Sequence, residues 1–548
     1  MSNGEEISAA QLPLFYGPGD VEIDYEKDLG DPGVFPYTRG SRPPVRRLSE
    51  DQESEQLVRE LSGEGHASRS NEQFRYLLAH GATALDVIGD TPSMASMDPD
   101  HPYARHSVGN QGVSVCRASD FVALYKGIPL DQVSVSHSLP LGFCVAGLYL
   151  AARELGFDPA ILRGSTILGP LFGEDTCYSN KFPLELHMRL ATDAVIFCAE
   201  RMPKFHPFVE DTYYISDGSV DVVDEMALGF IELREVVRQV IAKGLDVDRF
   251  APRIALLVNC RMGFFEEIAK VRASRRIYAR MMRDEFGAKD PRSLAVNVTA
   301  HTSGATMTAQ QLTNNIVRGA TQSIAMHIAG VRALEISAFD EAIRTPSAEA
   351  HLIGLRTQQV VQIETGVADV ADPLGGSYYV EALTDEIERK IEDRVREIEE
   401  LGEIMDLSHQ GYFRAIFADA MVERSREVDE RRKLVVGVNV HQLPPDDDTL
   451  LRNIAEKRLE PAYDIVDDVR AWRPTRDMRG VIAALDKLEQ AGRDERANVV
   501  EALVEALAAD ATIGECAGVL REVYGSSYDP LGGVERPGMA SAGRSLAS

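Results

Sequence analysis

The six cysteines are the residues whose chemistry can be judged most directly from their spacing. They are scattered along the chain, and no two of them form a C-x-x-C pair. Zinc knuckles and dithiol redox centres need closely spaced thiols, so no metal or redox site is predicted from them. Isolated cysteines are typical of a reducing compartment, and we expect a cytoplasmic protein. The six are Cys116, Cys144, Cys177, Cys198, Cys260 and Cys516.

Residues 244–291 predict the unit from which the fold is built. Residues 253–258 are a short apolar run suited to a strand buried on both faces. Residues 264–286 follow with apolar side chains at helical spacing. Similar strand-like runs begin near Ala84, Val133, Thr166, Val209, Ile254, Leu294, Ala333 and Val367. Eight strands separated by helices predict a (β/α)8 barrel. A doubly wound open sheet is the alternative, although no G-x-G-x-x-G motif follows the first strand.

Composition divides the chain into three predicted regions. Residues 1–75 are rich in proline, glycine and charge and predict an N-terminal arm. Residues 76–400 are predicted to form a substrate-binding barrel. Residues 401–548 predict a mainly helical C-terminal region with a flexible tail of small and polar residues.

The overall charge and the apolar runs exclude several classes of protein. A formal net charge of -28 does not suit a nucleic-acid-binding surface, because phosphate needs Lys and Arg. The N-terminus is acidic and lacks the apolar centre of a signal peptide. The longest apolar run, residues 139–152, is shorter than the ~20 residues that span a bilayer. We therefore expect a soluble protein that binds neither nucleic acid nor membrane.

Five short segments carry a resemblance to a known family. They are DPGVFPYTRG at 31–40, KGIPLDQVSVS at 126–136, TAQQLTNNIVR at 308–318, ADPLGGS at 371–377 and ATIGECAGVLR at 511–521. In this order, they resemble the methylmalonyl-CoA mutase family, and especially its isobutyryl-CoA and 2-hydroxyisobutyryl-CoA mutase large subunits. The resemblance implies a TIM barrel that binds an acyl-CoA. It also implies an isomerase that rearranges carbon skeletons by radicals with adenosylcobalamin.

The family normally binds cobalamin through a flavodoxin-like domain marked by D-x-H-x-x-G. The nearest match, residues 406–411, reads D-x-x-H-x-G and lies in the helical region, so His409 is interpreted as a surface residue. The resemblance thus implies a large subunit without this domain and a separate cobalamin-binding small subunit. It also implies a homodimer of large subunits within the hetero-oligomer.

Positions that face the cofactor in the family are partly kept. The family's Y-H-x-x-E, T-S-G and D-E-A motifs match residues at 213–217, 302–304 and 340–342. The resemblance therefore implies cobalamin contacts from Asp217, Gly304, Glu341 and Ala342, where small residues allow close backbone approach. The alternative is that Gly304 serves a turn and Glu341 caps a helix.

The substrate centre departs from the family pattern. Leu61 stands where the family has an aromatic residue, and Ile167 stands where it has a glutamine. Cys177 replaces the arginine that holds a substrate carboxylate, Tyr214 replaces the catalytic histidine, and His301 replaces a glutamine. Without that arginine a free carboxylate would be poorly stabilised, so methylmalonyl-CoA is not the expected substrate.

Tyr214 and His301 are the predicted catalytic residues. The phenol of Tyr214 could donate one hydrogen bond to the migrating carbonyl, but with a pKa of ~10 it is a neutral donor. His301 could supply an imidazole from the other side of the substrate. The alternatives are plain packing for Tyr214, a satisfied polar core residue for His301 and a small buried hydrophobe for Cys177.

The expected CoA contacts are mixed. Arg59 and Arg253 match family arginines near the CoA phosphates, and Arg332 is an additional cation. Asp86 replaces a serine of the binding site, and acids at 50–55 precede Arg59 and would repel phosphate. A carrier-bound or CoA-free substrate therefore stays open, as do a catalytically degenerate scaffold subunit and a cobalamin-independent lyase.

Overall fold

The computed structural model describes residues 13, 16–44, 56–167, 169–173, 182–455 and 460–538. Its centre is a parallel sheet with the strand order β1-β9-β8-β7-β6-β5-β4-β3-β2. The strands are β1 (Leu57–Arg59), β2 (Leu61–Ser62), β3 (Ala84–Ile88), β4 (Ser134–Ser138), β5 (Arg163–Ile167), β6 (His206–Asp211), β7 (Ile254–Cys260), β8 (Asn297–Thr302) and β9 (Ala333–Glu335).

The barrel is closed by a strand in two pieces. Only Glu60 separates β1 from β2. The first piece pairs with β9 and the second pairs with β3, so the two outer strands of the sheet meet in one extended segment. Counted in this way, the described residues form eight parallel strands, and the predicted (β/α)8 barrel is confirmed.

Helices follow the strands and cover the barrel. Asp221 shows how one of them begins: its carboxylate accepts hydrogen bonds from the N–H groups of Val223 and Asp224, at 2.9 and 2.8 Å. The helices around the barrel are α1 (Ala67–Ala79), α2 (Thr91–Met94), α3 (Ala118–Tyr125), α4 (Phe143–Glu154), α5 (Leu184–Arg201), α6 (Thr212–Asp217), α7 (Val222–Ala242), α8 (Val247–Phe250), α9 (Phe264–Asp284), α10 (Pro291–Leu294), α11 (Asn314–Ala329) and α12 (Ala348–Glu364).

The chain after the barrel is helical, as predicted. Within it, α13 packs across α7 and α9, whereas α19 packs on α4 and α5 and extends the barrel's apolar core. These helices are α13 (Tyr378–Glu399), α14 (Ile404–His409), α15 (Tyr412–Asp429), α16 (Thr449–Ala455), α17 (Tyr463–Trp472), α18 (Met478–Arg493), α19 (Val499–Ala508) and α20 (Ile513–Val523). The predicted tail beyond residue 538 lies outside the described residues.

The predicted strands need three corrections. The strand predicted near Val367 is wrong: this segment forms turns between Gly366, whose φ is 72°, and Asp372, whose φ is 46°. The missing strand is residues 57–62, which the sequence assigned to the N-terminal arm, so the barrel begins before residue 76. Its signal was obscured because Arg59 and Glu60 are charged yet buried in the barrel wall. The run predicted from Leu294 begins as a strand only at Asn297.

Within the described part of the chain, no helix combines the length and the apolar character that crossing a membrane requires. His409 is exposed, and its Nε2 lies 2.7 Å from Glu185 Oε1, which confirms its interpretation as a surface residue.

Candidate active site

A cavity of about 400 Å³ opens at the carboxyl ends of the barrel strands. Its lining includes Leu61 from β2, His301 from β8, and Glu341 and Ala342 from the segment after β9. In parallel barrels the loops at this end carry the reactive groups, because the strands hold them in fixed positions around a common axis. Four predicted site residues are thus brought together here.

Four buried charged side chains form a cluster in this part of the barrel. Arg59 Nη1 lies 3.3 Å from Asp86 Oδ2, and Arg59 Nε lies 3.5 Å from Glu335 Oε2. His301 Nε2 lies 3.6 Å from Glu335 Oε1. Strand register explains the grouping, because Glu335 is paired with both Arg59 and His301, and residues paired across parallel strands lie side by side. The exposed fractions are 5% for Arg59, 1% for Asp86, 1% for Glu335 and 6% for His301.

Several polar atoms of the cluster take part in ion pairs but make no hydrogen bond of normal geometry. Within the described residues, Arg59 Nε, both carboxylate oxygens of Asp86 and Glu335 Oε1 make no hydrogen bond. An unpaired buried polar atom costs about 1–3 kcal/mol, so such atoms are rare unless water or a ligand satisfies them. The cluster is therefore suited to bind a polar group.

Burial and mutual contact set the charges in the cluster. Burial next to Glu335 raises the pKa of Asp86 to about 7, although Arg59 opposes the shift. Burial opposes a charge on His301, but Glu335, Glu341 and Asp86 outweigh it and raise its pKa to about 9. Burial likewise opposes a charge on Glu335, but His301 and Arg59 hold its pKa below the ordinary value. At neutral pH we therefore expect an imidazolium–carboxylate pair beside an Asp86 that is partly protonated.

Tyr213 links the parts of the site and was missed as a site residue. Its ring meets the His301 ring edge-on at 4.6 Å between centroids and the Tyr214 ring at 5.4 Å. The N–H of Gly304 donates to the Tyr213 hydroxyl at 3.3 Å. The turn that presents both tyrosines follows β6 directly, where Asp211 Oδ1 accepts from the N–H of Tyr214 at 3.3 Å. The adjacent pair Tyr213-Tyr214 was the available sequence signal.

The opposite wall of the barrel is apolar. Ile167 packs in a buried cluster with Val209, Tyr213, Ala255 and Leu257, and Tyr214 is packed against that cluster. Ile167 and Tyr214 therefore lie on the same wall of the barrel. The interior has one charged side and one apolar side, an arrangement that can orient an amphipathic ligand.

Two of the predicted cofactor positions, Gly304 and Asp217, lie beside the Tyr213 hydroxyl, and Glu341 lies close to Gly304. A side-chain Cβ added to Gly304 would lie 3.0 Å from Tyr213 Oη and 3.4 Å from Glu341 Oε1, so the backbone approaches both groups closely. Asn259 Nδ2 donates to Asp217 Oδ1 at 3.1 Å, and burial raises the pKa of Asp217 to about 6. Glu341 lies in a turn before α12, whose cap is Ser347, so the alternative that Glu341 caps a helix is wrong.

Arg253 lies at the other end of the barrel. It precedes β7, and its Nε donates to the carbonyl oxygen of Pro203 at 2.8 Å. Burial, Arg292 and Arg42 all lower its pKa. Burial, together with Arg253, Arg42 and Arg332, lowers the pKa of nearby His206 to about 4. The structure thus separates Arg253 from Arg59 and places it in a basic group at the amino ends of the strands.

Two predicted features lie outside the described residues. They are Cys177, expected in the substrate site, and the acids at 50–55 that precede Arg59.

Residues 5–526 match the family model described as methylmalonyl-CoA mutase. The chain belongs to this family. It is 33% identical over 514 residues to the 2-hydroxyisobutanoyl-CoA mutase large subunit of Aquincola tertiaricarbonis, covering 93% of this chain and 90% of that protein. It is 33% identical over 500 residues to the methylmalonyl-CoA mutase of Rhizobium meliloti, covering 90% of this chain and 68% of that protein.

The methylmalonyl-CoA mutase of Escherichia coli is 30% identical over 499 residues, covering 90% of this chain and 68% of that protein. These relatives are named mutases, and mutases are isomerases. As a family member with the barrel intact, the chain is an enzyme of the isomerase class.

Proposed function

We propose that this chain is the large, substrate-binding subunit of an adenosylcobalamin-dependent acyl-CoA mutase. In this proposal it works with a separate cobalamin-binding small subunit, and two large subunits pair within the hetero-oligomer. The substrate is a short branched acyl-CoA that carries a hydroxyl group and no free carboxylate. The observation that carries the proposal is the buried cluster of Arg59, Asp86, Glu335 and His301 beside the cavity.

The cluster argues against a carboxylate on the acyl group. Arg59 already faces Asp86 and Glu335, so its charge is compensated within the protein. Glu341 also lines the cavity. A substrate carboxylate would enter a buried region rich in acids, which is unfavourable at low dielectric. Two described cations line the cavity, His301 and Arg344, and each already faces an acid at 3.6 Å, Glu335 and Asp340 respectively.

The same cluster favours a hydroxyl group. Both oxygens of Asp86 are buried without a hydrogen-bond partner among the described residues, and a hydroxyl would supply a donor. Asp86 is paired in register with Leu61, which lines the cavity. A relative named for a 2-hydroxy acyl group, with 90% of its length covered, supports the same substrate class.

The residues at the carboxyl end fit the cofactor that the family implies. When bound, adenosylcobalamin would supply the radical that removes a hydrogen atom from the substrate and later returns it. Gly304, Glu341, Ala342 and Asp217 would hold it, since Gly304 lies beside Tyr213 and Glu341 at the barrel rim, and Glu341 and Ala342 line the cavity. Tyr214 or His301 would donate a hydrogen bond to the thioester carbonyl. The apolar wall around Ile167 would exclude water from the reacting groups.

The basic group at the amino ends of the strands suits the phosphates of CoA. Arg253, Arg42, Arg292 and Arg332 add positive charge at that end of a chain whose net charge is -28. A phosphate group would otherwise be repelled by the protein as a whole. An acyl-CoA that lies along the barrel would place its two chemically different ends at the two differently charged ends of the barrel.

The test combines the purified chain, adenosylcobalamin and a small subunit that carries D-x-H-x-x-G. 2-Hydroxyisobutyryl-CoA, isobutyryl-CoA and methylmalonyl-CoA are offered at equal concentration. We expect rearranged product by mass spectrometry and a cob(II)alamin signal, strongest for the hydroxyacyl-CoA and weakest for methylmalonyl-CoA. A preference for methylmalonyl-CoA would contradict the substrate class, and no conversion of any thioester would contradict the mutase activity proposed here.

Light scattering of the purified chain alone tests whether two large subunits pair. A molecular mass equal to that of one chain would contradict the pairing.

A further inference from the structure

His301 has an oxygen atom beside each ring nitrogen. Its Nδ1 lies 2.8 Å from the carbonyl oxygen of Thr302, and its Nε2 lies 3.6 Å from Glu335 Oε1. A carbonyl oxygen can only accept a hydrogen bond, so Nδ1 carries a proton. This contact fixes the orientation of the ring. The Nε2 edge is then directed toward Glu335, and His301 itself lines the cavity.

Glu335 is the group that the two cations of the cluster share. One carboxylate oxygen faces His301, and the other faces Arg59. Arg59 also has Asp86 as a partner, whereas Glu335 is the carboxylate that favours the protonated form of His301 most strongly. The sequence marks Glu335 only as one charged residue in an otherwise apolar strand, Ala333–Glu335.

We propose that Glu335 is a positioning residue for the mutase reaction: its carboxylate keeps His301 protonated, so that the Nε2–H group stays a cationic donor to an acyl oxygen in the cavity. This inference rests on the proposed function. The 3.6 Å separation exceeds the ~2.7–2.9 Å of a charge-assisted hydrogen bond. The N–H group can therefore be shared with a ligand oxygen instead of being used up by Glu335.

Charged groups from several elements face His301. Glu335 on β9, Glu341 after β9 and Asp86 on β3 favour its protonated form. Asp217 on α6 interacts with it, and its own ionisation is favoured by His301. Arg59 on β1 has its charge offset by Asp86 and Glu335. Burial opposes the cation, and the acids together outweigh burial and raise the pKa of His301 to about 9.

The experiment measures the protonation of His301 in the full chain. The chain is labelled at the histidine Cε1 carbons with ¹³C, and the imidazole resonances are followed from pH 5 to pH 10. The chain has 12 histidines, so His301→Gln assigns the His301 resonance by its disappearance. In the wild type we expect His301 to titrate near pH 9. A His301 pKa below 7 would overturn the proposal.

Glu335→Gln removes the charge and keeps the shape of the side chain. We expect the His301 pKa to fall by about one unit or more. Glu335→Asp, which keeps the charge, should retain most of the elevation of the His301 pKa.

Glu60→Gln is the matched control, because Glu60 is equally buried in the neighbouring strand segment and its Oε1 accepts a hydrogen bond from Gln358 Nε2. An unchanged His301 pKa in Glu335→Gln would also overturn the proposal. If circular dichroism shows that Glu335→Gln does not fold, the wild-type titration decides alone.

Turnover separates positioning from the proposed function. With small subunit and adenosylcobalamin, Glu335→Gln should lower kcat about tenfold or more. KM should change much less, and kcat should decline at lower pH than in the wild type. Wild-type kcat in this variant would contradict the positioning role. If the wild type itself turns over no acyl-CoA, the proposed function fails, whereas the titration still decides whether Glu335 keeps the proton on His301.

Discussion

Asp86 places an acid at a position where the resemblance to the family predicts a serine of the binding site. Its carboxylate is buried, lies 3.3 Å from Arg59 and has no hydrogen-bond partner among the described residues. Burial raises its pKa to about 7, so it can accept a hydrogen bond as a carboxylate or donate one as an acid near neutral pH. The substrate preference should therefore depend on this side chain.

Asp86→Asn is expected to reduce kcat/KM for a 2-hydroxyacyl-CoA about 10- to 100-fold, because a hydrogen bond to a charged group contributes about 1.5–3 kcal/mol. The same variant should lose much less with the corresponding acyl-CoA that lacks the hydroxyl. Steady-state kinetics with the two thioesters provides the measurement. Equal losses for both would show that Asp86 acts on the structure of the site and does not recognise a hydroxyl.

At the scale of the elements, a pair of buried glutamates anchors the segment after β5. Glu232 on α7 accepts a hydrogen bond from the N–H of Leu171, and it also interacts with Glu210 at the end of β6. Burial and Glu232 raise the pKa of Glu210 well above its ordinary value, and burial raises that of Glu232 to about 7. The pair therefore holds protons in the folded state that the unfolded chain would release.

This pair should make stability fall as pH rises. A carboxyl pKa raised by folding means that the native state binds more protons, so the contribution is lost from about pH 4.5 upward through pH 7. Glu210→Gln should reduce the fall in Tm between pH 5.5 and pH 8, corresponding to a difference on the order of 1–3 kcal/mol. Scanning fluorimetry measures it, with the exposed Glu400→Gln as the control. Parallel Tm curves for wild type and Glu210→Gln would be the contrary result.

Strand pairing in the barrel depends on one glycine of β5. Gly164 has a φ of +148° and is paired with Val135, whose carbonyl oxygen a Cβ at this position would strike. Gly164→Ala should cost about 3 kcal/mol or more, because neither backbone can move without breaking the pairing. Gly156→Ala is the matched control, since φ is +86° there and the surroundings are open, so about 1 kcal/mol is expected. Denaturant unfolding compares them, and equal losses would contradict this explanation.

The molecule as a whole has two chemically different barrel ends. Glu60, Glu341, His301 and Arg344 line the cavity at the carboxyl end, whereas Arg253 and neighbouring arginines form the amino end. Because the net charge is -28, we expect the attraction of an anionic substrate to depend on this local group.

If Arg253 contacts a CoA phosphate as proposed, Arg253→Ala should raise KM for an acyl-CoA about tenfold and change kcat little, because that contact would be distant from the reacting atoms. The difference should shrink as salt is added. Arg249→Ala, an exposed arginine four positions earlier, is the control and should keep the wild-type KM. Michaelis–Menten kinetics at two ionic strengths tests this, and an unchanged KM for Arg253→Ala would remove Arg253 from CoA binding.

The barrel could be predicted without coordinates, and several residues of the candidate cavity could be named from the sequence. Apolar runs alternating with helical spacing suffice for seven strands near their observed positions, because burial on both faces leaves a clear local pattern. The strand at 57–62 could not be recognised, since its buried Arg59 and Glu60 look like surface residues until their partners are known. Tyr213 was read as part of a motif and not as the side chain that joins Tyr214, His301 and Gly304.

The amino-acid sequence alone is enough to determine the family and the barrel, because both depend on the local pattern of residue types. It also predicts which substrate-binding residues of the family are replaced. It cannot reveal that Glu335 lies between Arg59 and His301, or that Arg253 lies at the opposite end from them. Those neighbours come from different strands, and they meet only when the barrel closes in one register. The charge on His301 follows from that closure, because burial and three nearby carboxylates together set its pKa.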